Sequence, residues 1–210
     1  MNNPVIKNAI LLAVFALVCT LLVILTNVLT APTIIKQQQV KLSQSLRELL
    51  PAKLVNQQLL NSCRLITYPQ YLGDSQPHRR WIAYENNQPI AIIYQAIAPD
   101  GYNGAISLLV GVWKTGKVSG VRVISENETP GLGDNIETRK SHWVYEFNGK
   151  ALHSDQDERW AVKKDGGMFD QFTGATITPR AVVNSVKRVL ELNKHQYDAI
   201  VQSDQRCQGD

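Results

Sequence analysis

Apolar residues run almost without a break from position 9 to 31, then thin to helical spacing, and finally break into short runs between turn residues. The first run, AILLAVFALVCTLLVILTNVLTA, passes roughly 23 residues without a charged side chain, against the ~20 a helix needs to cross a hydrocarbon core. Lipid offers no partner to peptide N–H and C=O groups, so such a segment is predicted to be helical. Thr20 and Thr26 can bond back to their own helix, and Asn27 falls near the far interface. Residues 1–8 then form a short N-terminal tail and residues 9–31 a transmembrane helix. In residues 32–62, Leu42, Leu46, Leu49 and Leu50 recur at helical spacing, Pro51 interrupts, and Leu54, Val55 and Leu59 continue an apolar face. That spacing predicts a helical connector.

A domain is predicted over residues 63–195, followed by a tail at 196–210. Residues 81–84 and 90–94 read as strands joined through Asn86, Asn87 and Pro89, a hairpin signal. Residues 106–113 and 118–124 make a second pair around Gly116. Between the pairs lies a turn-rich loop, Pro99-Asp-Gly-Tyr-Asn-Gly, and after them a second loop, Glu128-Thr-Pro-Gly-Leu-Gly. Residues 136–147 are predicted as a short helix and 160–162 as a strand. The clearest pattern is the last, where Val182, Val183, Val186, Val189 and Leu190 share a helix face, with Thr178 as N-cap and Pro179 as first residue. Antiparallel hairpins packed with helices, rather than alternating strands and helices, predict an α+β domain behind the N-terminal transmembrane helix.

Charge sharpens this picture. Lys7 is the sole charged side chain before position 36, among 22 basic and 18 acidic residues overall. The surplus of +4 is scattered, without the concentrated basic footprint of a nucleic-acid protein. A cleaved signal peptide is the competing reading of the first run, but the run is long for one and no A-x-A site follows. Lys36, Lys41 and Arg47 after the span lean toward a cytoplasmic domain. Cys19 lies inside the span, while Cys63 and Cys207 are far apart and without metal-ligand spacing. In an oxidising compartment those two can pair; read from spacing alone, two unrelated thiols fit as well. No metal site and no catalytic residue is expected.

The chemistry concentrates just before the last helix, at Asp170-Gln-Phe-Thr-Gly-Ala-Thr-Ile-Thr. Gly174 removes a side chain where a backbone can approach a ligand. Thr176 sets a hydroxyl beside helix-start amides, which favour a phosphate. An ordinary helix start has the same residues, and taken as chemistry alone it is the simpler reading.

That string resembles the flavinylation motif of the FMN-binding domain family. The family includes the G-type components of Rnf/Rsx electron transport complexes and the C-type components of sodium-pumping NADH:quinone reductases. The likeness extends to the span, the connector, both glycine-rich loops and Val162-Lys-Lys-Asp-Gly-Gly, in the same order, and is nearest to the Rnf/Rsx G type. It implies that a separate flavin transferase splits FAD and esterifies FMN phosphate onto Thr176. Thr173, Gly174 and Ala175 belong to the same motif, and Asp170 to the surface the transferase recognises. No base adjoins Thr176 in sequence, in keeping with activation by a partner enzyme. The resemblance also places the ring near Tyr102 and Gly104, while the loop of Glu128, Thr129, Pro130, Gly131, Leu132 and Gly133 offers backbone amides and an apolar leucine suited to a flat ligand. Lys163 or Lys164 would meet the phosphate. Trp113, Trp143 and Trp160 are read as core.

The implied function is an electron-carrying subunit of a membrane complex that couples electron transfer to ion translocation, the redox chemistry belonging to the flavin. Partners are the other complex subunits and, during maturation, the transferase. Two other readings are a C-type component of the sodium-translocating quinone reductase and a membrane-tethered binding module without a redox cofactor. The resembled proteins sit in the bacterial inner membrane with one span and the flavin domain on the periplasmic side, against the lean of the basic residues. A periplasmic domain in turn implies a Cys63–Cys207 disulfide.

Overall fold

Two asparagines with positive φ, Asn86 (52°) and Asn87 (60°), turn the chain between paired strands at His78–Glu85 and Gln88–Ala98. Asn tolerates that region better than other non-glycine residues, and such turns match the twist of a hairpin. In the computed structural model, which describes residues 4–207, this hairpin forms the middle of a five-stranded antiparallel sheet. Its strands are β1 (Arg64–Ile66), β2 (His78–Glu85), β3 (Gln88–Ala98), β4 (Ile106–Trp113) and β5 (Val118–Ser125), ordered as in the chain. The helices are α1 (Pro4–Leu49), α2 (Gln57–Asn61), α3 (Pro69–Leu72) and α4 (Ile177–Gln202). The chain divides into two units, one ending at Ser43 and one beginning at Gln44.

In the first unit, Pro4–Ile34 is a 31-residue stretch of mean hydropathy 3.0, long and apolar enough to cross a membrane. Its large apolar side chains are exposed on every side, the condition of a helix whose solvent is lipid. Thr20 donates to the Ala16 carbonyl at 2.8 Å and Thr26 to that of Leu22 at 2.9 Å, so neither hydroxyl is left unpaired. Of the predicted tails, residues 1–3 and 208–210 lie outside the described residues.

In the second unit both faces of the sheet are covered, and this is why residues 90–98 read as nearly continuous apolar sequence. Ile92, Tyr94 and Ala96 of β3 belong to the main core with Leu108, Val110, Val121 and the valine face of α4. Tyr94 donates to Asn193 of α4 at 2.8 Å, satisfying a phenol buried in that core. Ala91 and Ile93 point the other way with Trp81, and Leu46, Leu49, Leu50, Leu54 and Leu59 are buried as well. The end of α1 meets β5 there. Arg122 donates to the Glu48 carboxylate at 2.8 Å and to its carbonyl at 3.2 Å.

Several boundaries differ from those predicted. Residues 44–62 belong to the folded unit, which begins at Gln44 rather than near Cys63, because their leucines are core. The domain extends past 195: the helical segment α4 continues across a kink at Gln196 to Gln202, and Ile200 is buried. Residues 136–147 form no single helix: one 3-10 turn, Gly133–Ile136, ends where it was to begin, and a second occupies Trp143–Phe147. Residues 160–162 form no strand: Val162 makes a single bridge to Phe169, while Trp160 packs on Phe147 and Phe169. β1 and α3 occur where no element was expected.

Beyond α4 the chain returns to the edge of the sheet. Leu65 N–H donates to Gln205 at 2.7 Å, and Cys63 and Cys207 form a disulfide with Cα atoms 5.7 Å apart. Arg80 is buried beside it and donates to the Ser203 carbonyl (2.8 Å) and hydroxyl (3.0 Å) and to the Ser62 carbonyl (3.1 Å). Burial pushes the pKa of this guanidinium down to about 10.

Candidate functional site

At the start of α4 the tertiary structure redistributes the roles read from sequence. The predicted cap, Thr178, lies inside the first turn; its buried hydroxyl donates to the carboxylate of Glu128, fifty residues earlier in the chain. Thr176 takes the N-cap position, at φ −91° and ψ −22°, and makes no side-chain cap bond. A threonine hydroxyl that neither caps its helix nor lies buried is available for chemistry, next to first-turn amides that have no partner within the helix.

The segment leading to Thr176 is held in place from behind. Trp143 Nε1 donates to the Asp170 carbonyl at 2.8 Å, and Phe172 meets the Trp143 ring edge-on at 5.2 Å. A tight turn follows, closed by Ala175 N–H on the Phe172 carbonyl at 3.1 Å. Gly174 is its left-handed residue, at φ +82°. Backbone conformation by itself therefore requires glycine there.

Three chain segments enclose a cleft of about 270 Å³ beside Thr176. Tyr102 comes from the first glycine-rich loop, Glu128, Thr129, Leu132 and Gly133 from the second, and Gly174 to Thr178 from the motif and α4. Tyr102, Leu132 and Ile177, exposed by 66%, 40% and 43%, are three of the four exposed large apolar side chains among the described residues from Gln44 onward. Exposed apolar surface gathered in one place marks a binding site. Ile177 and Thr178 are lining residues that sequence reasoning missed. Ile177 stood in the motif as an unassigned position, and nothing local distinguishes it.

Glu128 joins the three segments. It is 5% exposed, and its carboxylate accepts from the amides of Tyr102 (3.3 Å) and Asn103 (3.0 Å) as well as from Thr178. Gly133 lets these parts close up, since a Cβ there would stand 2.8 Å from both Glu128 Cβ and Thr178 Oγ1.

Three amides of the second loop are used inside the loop itself. Leu132 and Gly133 N–H both donate to the Thr129 carbonyl at 3.1 Å, and Gly131 N–H to Asp134 at 2.7 Å. Turn closure consumes these three donors, and the loop lines the cleft with Glu128, Thr129, Leu132 and Gly133. Thr173, Gly104, Pro130 and Gly131 lie outside the cleft lining. Lys163 is also outside it and pairs with Asp170 at 2.5 Å. That partner raises the pKa of the amine through a hydrogen bond and competes with any phosphate. Lys164 does not line the cleft either. Trp143 and Trp160 are buried, with Trp113 partly so.

Residues 101–191 match the FMN-binding domain family, and residues 1–49 match the RnfG N-terminal region. The chain is 50% identical over 190 residues, 90% of each chain, to the G subunit of the ion-translocating oxidoreductase complex of Shewanella loihica. To the protein of that name in Pectobacterium atrosepticum it is 52% identical over 182 residues, 87% of each chain. A Vibrio cholerae relative, also so named, is 49% identical over 197 residues, 93% of this chain and 94% of its own.

Proposed function

The chain belongs to the family of G subunits of ion-translocating oxidoreductase complexes, and we propose that it carries electrons in such a complex on FMN esterified to Thr176. Similarity along nearly the whole chain to proteins with that name favours this over a C-type quinone-reductase component. The observation that carries the site assignment is the Thr176 hydroxyl, uncapped at the start of α4 and facing a cleft rimmed by Tyr102, Leu132 and Ile177. A phosphate on that oxygen meets the positive end of a long helix, and a flat, largely apolar ring meets an apolar rim. Bound FMN supplies the electron chemistry, while the protein holds it in place.

Attachment is proposed to depend on a flavin transferase. The Thr176 oxygen attacks the FMN phosphorus of FAD, an O–P bond forms, the pyrophosphate bond breaks with release of AMP, and the hydroxyl proton passes to a base. Glu128 is the carboxylate within the cleft, but three donors already occupy it. The transferase therefore supplies the base. Asp170, exposed before the motif and held by Lys163, is proposed as part of the surface it recognises.

Thr176→Ala is expected to fold normally and to lose all flavin fluorescence in a denaturing gel after co-expression with the transferase. Fluorescence retained at full intensity overturns the assignment. We place the domain on the periplasmic side of the bacterial inner membrane, a reading supported by the Cys63–Cys207 disulfide, since such bonds persist in oxidising compartments. A Ser154→Cys variant is then expected to react with a membrane-impermeant thiol reagent once the outer membrane is opened. Reaction only after the inner membrane is broken reverses the orientation.

A further inference from the structure

Of the cleft-lining residues, Glu128 alone carries a charge, and it is almost completely buried. Its oxygens face the Tyr102 and Asn103 amides and the Thr178 hydroxyl, all neutral donors, and no cation is paired with it among the described residues. The fold is built tightly around it. A Cβ at Gly101 would stand 3.0 Å from Glu128 Oε1, and one at Gly133 would stand 3.0 Å from Oε2. Both carboxylate oxygens accept, so a glutamine of nearly the same shape would turn its NH2 group against one of these donors, and the site selects a carboxylate.

We infer that Glu128 is a positioning and tuning residue whose buried negative charge holds the reduction potential of the flavin down. This rests on the reading that the cleft holds FMN. Each electron that enters the ring without a proton adds one negative charge, and a fixed, buried carboxylate in the wall of the cleft opposes it. The field of a buried charge is weakly screened by salt. The same hydrogen bonds hold Tyr102 at the rim and tie the loop to α4, so the residue that orders the cleft also sets its electrostatics. A protein built this way passes electrons on readily, because the oxidised ring is the favoured state.

The test uses the full chain, flavinylated in the membrane and purified in detergent, with midpoint potentials read by spectroelectrochemical titration against dithionite. Glu128→Gln removes the charge and nearly keeps the shape but loses an acceptor, and Thr178→Val keeps the charge and removes one donor, so the two variants share a lost hydrogen bond and differ in charge. Glu128→Gln is expected to raise the midpoint at least tenfold in the oxidised-to-reduced equilibrium, ~59 mV for a one-electron step. Thr178→Val is expected to leave it unchanged or lower it. An unchanged or lowered midpoint in Glu128→Gln, or an equal rise in both variants, overturns the inference and leaves the flavin assignment standing. Covalent fluorescence in the denatured wild-type chain is read first, and its absence overturns the assignment and this inference together.

Discussion

The two ends of α4 are treated in opposite ways. At its C-terminal end the chain is fastened by a disulfide, by Arg80 donating to Ser203, and by the Gln205 carbonyl bonded to β1. At its N-terminal end the cap hydroxyl is unused and three large apolar side chains stand exposed. One helix thus serves as a pinned strut at one end and an open site at the other. The contrast separates the part of the fold that holds the helix from the proposed site: groups satisfied within the fold fasten one end, and the cap hydroxyl at the other takes no partner from its own helix.

The most severe way to break this contrast is to release the pin. A Cys63→Ser/Cys207→Ser variant is expected to lose roughly 2–5 kcal/mol of stability, the range typical for removal of a native disulfide. Urea denaturation measures the loss, and gel fluorescence is expected to show unchanged flavin on the folded fraction. Loss of flavin from folded protein means that the two ends are coupled.

Gly133→Ala acts at the open end. The added methyl meets Glu128 and Thr178 at 2.8 Å, and such overpacking costs about 1–3 kcal/mol. Flavin loading is expected to fall together with stability, unlike the disulfide variant. Full loading at wild-type stability shows that the cleft yields despite its close packing.

The smallest effect comes from a site between the ends. Asp157, 6% exposed, accepts from Arg159 Nη2 at 2.7 Å and Nε at 2.9 Å and from His153 N–H at 3.0 Å. The Arg159 hydrogen bond, against the opposing effect of burial, holds this carboxyl well below its ordinary value of 3.8. The unfolded chain then binds a proton more readily than the folded one. The stabilisation is present above pH 3.8 and is lost as the pH falls below it toward the folded value. Asp157→Asn is expected to lower stability at neutral pH and to flatten the acid limb of the stability–pH curve, followed by circular dichroism. An acid limb identical to wild type assigns acid sensitivity to other carboxylates.

The sequence by itself determined the apolar span, both hairpins and the valine face of α4, because each is written in local periodicity or turn chemistry. It also marked Thr176, through a motif whose residues are contiguous. Only the tertiary structure decided that Thr178 turns inward to Glu128 while Thr176 is left free, since the competing partner lies fifty residues away. Equally, Leu46, Leu49 and Leu59 have the same spacing on a free connector and on one folded against the sheet; burial distinguishes the two. The second loop had the composition of a donor surface, yet its amides close on Thr129 and Asp134. Composition states which groups a segment owns, and only packing determines which of them remain unpaired.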